Sequence, residues 1–194
     1  MSQDKAYRVR AIPCSHQASG EEIYERLKSI TAPLDRSWAR IEKARKVGIK
    51  FNMQMRTEAV RRIGGRRQEL VDEDVVRASL RLLQERTDAE LFVIDTSMVP
   101  AGQRPGHDFN MAPIFEEFGI PYVEAGDPPF ERYKVPGGGT MFSEYQLSAS
   151  LGEADAFVSI AKMKNHGFMG ITLCLKNLFG LPPIPPHGRA RTYF

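Results

Sequence analysis

Cysteine is almost absent from this chain, with Cys14 and Cys174 the two thiols in 194 residues. They stand far apart and form no C-x-x-C pair, which argues against a disulfide scaffold, a zinc knuckle or an iron–sulfur cluster held by this chain's own cysteines. A long apolar run is also missing. No stretch approaches the roughly 20 residues that span a bilayer. Asp4, Lys5, Arg8 and Arg10 interrupt the start of the chain, where a signal peptide needs an apolar core. Together these absences predict a cytoplasmic setting and no membrane partner. Charge of one sign is not in large excess either: 27 basic and 24 acidic residues leave a formal +3, too little for a dedicated nucleic-acid binder.

What is present is enough apolar material, 42% of the residues, to bury a core as one domain spanning residues 1–194. Tyr7 to Cys14 alternates apolar and polar residues and reads as a strand, and a helical pattern follows from Glu21 through Ile23, Leu27 and Ile30. Lys46 to Gln54 is a second strand, with Val47, Ile49, Phe51 and Met53 on one face and Lys46, Lys50, Asn52 and Gln54 on the other. Asp72 caps a helix carrying Val75, Val76, Leu80, Leu82 and Leu83, and Leu91 to Ile94 is a strand ending in Asp95, Thr96 and Ser97. Asn110 to Phe118 reads as a helix stopped by Gly119, Ile120 to Val123 as a strand, and Asp127 to Gly139 as a Pro- and Gly-rich loop. Ser143 to Leu151 reads as a helix, Ala156 to Met163 as the last strand and Gly170 to Leu178 as the last helix, before a tail with Pro182, Pro183, Pro185 and Pro186. This alternation predicts an α/β fold, an open and mostly parallel sheet with helices on both faces.

Ligands of such sheets sit beyond the carboxyl ends of the strands, and several predicted strand ends are polar. Period-two geometry puts Lys162 and Lys164 on one side of the last strand, with His166 just beyond. Lys50 and Asn52 end the second strand, Asp95 the third, and Cys14, Ser15 and His16 the first. In the last helix Thr172 and Lys176 fall one turn apart, and Asn177 follows. A helix that apolar is expected to be buried, so Lys176 needs a partner: Asp95 or Asp155, water reached by snorkelling, or a ligand. The ligand reading has Lys162, Lys164 and Lys176 neutralise an anionic small molecule, or an anionic or metal-containing cofactor of unknown identity. Asn52 and Asn177 then orient it, and His166 serves as catalytic acid, base or metal ligand, kept neutral by Lys164. The plain alternative is lysines that simply reach solvent at a strand end.

The run Ala154-Asp155-x-x-Val158-Ser159-Ile160-x-Lys162-x-Lys164-x-His166, followed by Gly170-Ile171-Thr172 and Leu175-Lys176-Asn177-Leu178-Phe179-Gly180, resembles the pattern of the domain of unknown function 362 family. Ile49-Lys50-Phe51-Asn52 is similar to that family's Ile-Lys-Pro-Asn element, with Phe51 in place of proline, and the likeness runs through most of the chain from Val47 onward. The resemblance implies redox association, since many members carry ferredoxin-type segments; a redox partner or a homo-oligomer is a separate expectation. The resemblance also implies further strands beyond the Lys-Asn-Leu-x-Gly element, so that the chain reads as a partial domain truncated at its C-terminus.

Other constellations carry less. Between Arg36 and Arg67, nine further basic residues, among them Arg61, Arg62 and Arg66, face Glu42 and Glu58 alone. That segment is either a solvated basic face or a surface for nucleic acid or an acidic protein, with Trp38 and Phe51 its aromatic residues. Gly137-Gly138-Gly139 lacks the lysine of a phosphate loop and reads as a turn. His16, His107 and His187 have no metal-ligand spacing, and Cys14 reads as a structural thiol.

Overall fold

The computed structural model describes residues 9–54, 59–97, 110–167 and 169–183. Helix α1 (Gly20–Thr31) starts on a capping box in which the Ser19 side chain and Glu22 satisfy each other's backbone N–H groups, and α2 (Asp35–Glu42) follows. Strand β1 (Lys46–Phe51) leads to a small ribbon of β2 (Arg62–Ile63) and β3 (Arg66–Arg67), and then to α3 (Glu73–Arg86), which Asp72 caps. After β4 (Glu90–Asp95), α4 (Ala112–Glu117) and β5 (Tyr122–Glu124) comes a ribbon of β6 (Phe130–Lys134) and β7 (Glu144–Ser148). Strand β8 (Ala156–Ile160) precedes a last ribbon, β9 (Lys164–His166) with β10 (Gly170–Thr172), and α5 (Cys174–Asn177), which runs on as a 3-10 turn over Leu178–Gly180.

The main sheet has the order β5-β4-β1-β8 with every pairing parallel, so the α/β architecture read from the alternation is present. Val47, Ile49 and Phe51 of β1 and Leu91 and Val93 of β4 share one face, packed on Val76, Leu80 and Leu83 of α3 and Ile114 and Phe115 of α4. Truncating one of these, Ile49 for instance, typically costs about 2–5 kcal/mol. The other face is thinner: Phe92 and Ile94 meet Ala125, Leu181 and the half-buried Leu151 and Leu178, which come from turns. Gly48 is needed here because a Cβ would sit 2.9 Å from Phe157 and 3.0 Å from Phe92, the two rings that flank it across the sheet.

Several sequence expectations are corrected. Residues 9–14 of the expected first strand (Tyr7 to Cys14) form no strand, because their alternation meets no sheet edge; Val9 is exposed. The expected helix from Ser143 to Leu151 is mostly β7, whose Tyr145 and Leu147 pair across the ribbon with Tyr133 and Glu131 of β6. Strand β6 in turn occupies part of the expected loop from Asp127 to Gly139, leaving a turn at Gly137, Gly138 and Gly139, all at positive φ. The last strand stops at Ile160 instead of Met163, where its partner β1 also ends at Phe51. The expected helix from Gly170 to Leu178 begins as strand β10, since β-branched Ile171 and Thr172 find a partner in β9, and only four residues remain for α5. Helix α2 and the β2–β3 ribbon, turned by Gly64 and Gly65 at φ 54° and 80°, were not anticipated from the sequence.

Candidate functional site

The carboxyl ends of β1, β4 and β8 converge under α5, and the group at their centre is Lys50. Its side chain is only 3% exposed and forms an ion pair of 2.8 Å with that of Asp95, itself 2% exposed. The same Nζ donates to the Phe51 carbonyl at 2.8 Å and to Asn177 Oδ1 at 3.3 Å. Burial pushes the Asp95 carboxyl up to about 6, against the pull of Lys50 and the Thr96 N–H, with Glu124 adding to the rise. Asn177 ties the edge together, its Nδ2 donating to the Lys50 carbonyl at 3.0 Å and to Ser159 Oγ at 3.1 Å. Gly180 closes over the pair so tightly that a Cβ would lie 2.5 Å from Asp95 Oδ1 and 2.9 Å from Lys50 Nζ. Lys50, Asp95 and Asn177 thus come together at the carboxyl edge of the sheet, as a group whose charges already cancel.

Lys164 differs. In the β9–β10 ribbon it stands directly opposite Thr172, and residues opposite one another share a face. That face is turned inward: Thr172 is 3% exposed, and its hydroxyl is buried with no hydrogen-bond partner among the described residues. Burial pulls the Lys164 ammonium below the usual lysine range, with Glu69 opposing the shift. Glu69 lies just before Val71, whose N–H donates to the Asn52 carbonyl at 3.0 Å, while the Asn52 N–H donates to Ile160 at 3.1 Å. Asn52 Oδ1 is buried and without a hydrogen-bond partner among the described residues. Asn52 at the end of β1 and Thr172, opposite Lys164 in the ribbon that follows β8, thus each bury a polar atom unsatisfied among the described residues, a condition native proteins rarely leave without water or ligand.

The remaining candidates are dispersed. His166 follows Lys164 on the same face of the ribbon, and its Nδ1 accepts the Met169 N–H at 3.3 Å, which puts the proton of the neutral ring on Nε2. Lys162 turns instead into a cleft beside α1. Lys176 is half-buried with its ammonium 4.8 Å from the centre of the Phe179 ring, and it does not share a helical face with Thr172, which is in a strand. The surroundings of Lys176 are not buried either, since Leu175 is 85% exposed. Asp95 serves Lys50, and Asp155 accepts from the backbone N–H groups of Arg45 and Lys46, so neither is the carboxylate considered for Lys176. His107 and His187 lie outside the described residues. Among the described residues no group of three or more His, Cys, Asp or Glu could hold a metal ion, and no helix is long and apolar enough to cross a membrane.

Sequence reasoning missed a polar shelf at the ends of β4 and β5. Glu124 accepts from the Ser97 and Gly126 N–H groups at 2.8 and 3.0 Å, and Tyr122 Oη lies 3.1 Å from both Glu124 Oε2 and the Asp95 carbonyl and receives Gln54 Nε2 at 3.2 Å. Burial and the nearby carboxylates push the Tyr122 hydroxyl far up, so it stays protonated. The available signal was a carboxylate directly after an apolar strand. The basic segment, by contrast, is largely neutralised from outside itself. Arg62 and Arg67 pair with Glu73, Arg66 pairs with Asp72 and Asp74, and Trp38 and Phe51 are buried in the core. Burial raises the Glu73 carboxyl, but the bonds from Arg62, the largest influence, and from Arg67 outweigh it and lower the group to about 2.

Comparisons with known proteins agree with the motif reading. The Thylakoid-associated protein sll1697 of Synechocystis sp. (strain ATCC 27184 / PCC 6803 / Kazusa) is 26% identical over 110 residues, 57% of this chain and 32% of that protein. The match thus spans about a third of the relative's length. No solved structure gives a significant match. The family described as Domain of unknown function (DUF362) matches residues 47–193, a stretch that includes Asn52, Lys164 and Thr172, and the chain belongs to that family.

Proposed function

We propose that this domain binds an anionic small molecule, or the anionic part of a cofactor, at the carboxyl edge of its sheet, with Lys164 supplying the charge and Thr172 and Asn52 the hydrogen bonds. The observation that carries the reading is Lys164: an ammonium partly withdrawn from water, opposite a buried hydroxyl with no partner among the described residues. Desolvating a cation costs free energy that an anion returns, and Thr172 Oγ1 can donate to it. A half-turn of the Asn52 amide replaces its unsatisfied Oδ1 with a donor. His166, with its proton on Nε2, serves as a further donor on this face, and Lys50 acts indirectly, holding the edge together through Asp95 and Asn177. Redox association enters only through the family. The rival reading, a basic surface for nucleic acid or an acidic protein, has less support, since Arg62 and Arg66 are committed to carboxylates.

Thermal unfolding in the presence of phosphate, sulfate, malonate and citrate tests the proposal. At least one of these raises the melting temperature of the wild type in a saturable manner, Lys164→Gln abolishes the rise and Thr172→Val weakens it. The effect fades as pH rises through the lowered Lys164 range, where the ammonium loses its proton. If no anion in the set stabilises the wild type, or Lys164→Gln responds equally, the site is wrongly assigned.

A further inference from the structure

Helix α1 packs Tyr24 against the core and leaves a second apolar stripe, Ile23, Leu27 and Ile30, only half-buried. The stripe forms one wall of a cleft of about 620 Å³, and Ile63 of β2 and Val75 of α3 stand among its other lining residues. That volume lies within the about 300–1,000 Å³ usual for small-molecule sites. Ile63 is 71% exposed, an apolar side chain held in water at the cleft.

Charge in the cleft is one-sided. Asp72 is the acidic residue of its lining, and it is fully engaged: Oδ1 accepts from Arg66 at 2.7 Å and from the Asp74 N–H at 3.2 Å, and Oδ2 from the Arg67 N–H at 3.3 Å. Arg66 is equally spent, between Asp72, Asp74 and the carbonyls of His16 and Ala18. Arg26 and Lys162 remain. Arg26 donates one hydrogen bond, to the Pro13 carbonyl at 2.7 Å, and neither cation has an ion pair among the described residues. Glu22 acts on Arg26 at longer range only, and an apolar trough with two cations that lack an ion pair selects a molecule with an apolar tail and an anionic head. Neither an inorganic anion, which leaves the apolar wall wet, nor a neutral hydrocarbon, which leaves the cations unmatched, complements it.

We infer that this cleft is a second binding site, distinct from the Lys164 site, for a medium-chain carboxylate whose tail lies along Ile23, Leu27 and Ile30 and whose head meets Arg26 and Lys162. Calorimetric titration with decanoate, below its micelle concentration, and with 1-decanol separates the two recognition elements. Decanoate binds with one-to-one stoichiometry and 1-decanol at least about tenfold more weakly, the loss expected when a charge-assisted hydrogen bond is removed. The double variant Arg26→Gln, Lys162→Gln brings decanoate down to the affinity of 1-decanol. Leu27→Trp fills the trough and removes binding. Ile63→Asp, at a side chain already in water, weakens binding without the risk of misfolding. Lys164→Gln leaves decanoate binding unchanged, so failure of this inference and failure of the strand-edge site give different results. Equal affinity for decanoate and 1-decanol, or undiminished binding to both Leu27→Trp and Ile63→Asp, overturns it.

Discussion

Lys50 and Lys164 stand in neighbouring parts of the same sheet edge and are both drawn out of water, yet their surroundings differ in kind. Lys50 comes from a strand flanked on both sides, so the structure around it is overdetermined: Asp95 is delivered by β4, Asn177 by α5, and Gly180 seals the pair. Lys164 comes from a three-residue strand outside the main sheet, opposite Thr172, and no ion pair reaches it among the described residues. A cation at a strand end is therefore not in itself a binding group. What makes it one is a charge that the fold desolvates and does not cancel, and this contrast separates a structural lysine from a ligand-binding one.

Breaking the first half of the contrast has the largest expected effect. Lys50→Met leaves Asp95 buried with no counter-charge and costs about 3–5 kcal/mol near pH 8. The sign with pH is definite. Because burial raises the Asp95 carboxyl from 3.8 to about 6, the folded state binds the proton more tightly than the unfolded chain, and stability falls as pH rises through that window. Removing Lys50 raises the carboxyl further, so the loss is deepest at alkaline pH and partly relieved in acid. Urea unfolding at pH 5 and pH 8 measures this, and equal losses at both would show that the pair is not electrostatically coupled. Gly180→Ala tests the same pair by sterics, forcing Asp95 and Lys50 apart at a cost of about 1–3 kcal/mol, read from the urea midpoint. The smallest effect sharpens the other half. Lys164→Gln removes a desolvated charge and stabilises the unliganded protein by less than about 1 kcal/mol near neutral pH. The folded-state lysine loses its proton before the unfolded one does, so the wild type recovers as pH rises toward 10.5 and the gain disappears. A loss of stability in Lys164→Gln at neutral pH would mean that Lys164 is already satisfied internally.

The legible parts of the fold were those with long, unambiguous periodicity. Val47, Ile49 and Phe51 alternate through a buried strand, which ends at Phe51 instead of Gln54, and Val76, Leu80 and Leu83 repeat along a capped helix that folds as read. Two of the segments read incorrectly are short strands. Glu144–Ser148 and Gly170–Thr172 are five and three residues long, too few to distinguish a period of 2 from one of 3.6. Their state depends on strands β6 and β9, whose presence alongside is a tertiary fact.

The candidate site divides in the same way. Sequence alone determined the family, the parallel sheet and the crowding of polar residues at its carboxyl edge, because motif order and hydrophobic period are local properties of the chain. Only the tertiary structure decided which charges cancel. Asp95 is 45 residues from Lys50 along the chain and Asn177 is 127 away, so the neutralisation of Lys50, the isolation of Lys164 and the departure of Lys162 to another cleft arise from which segments fold against which. Electrostatic energy depends on separation and burial in space, and neither is written in the spacing of residues along a chain.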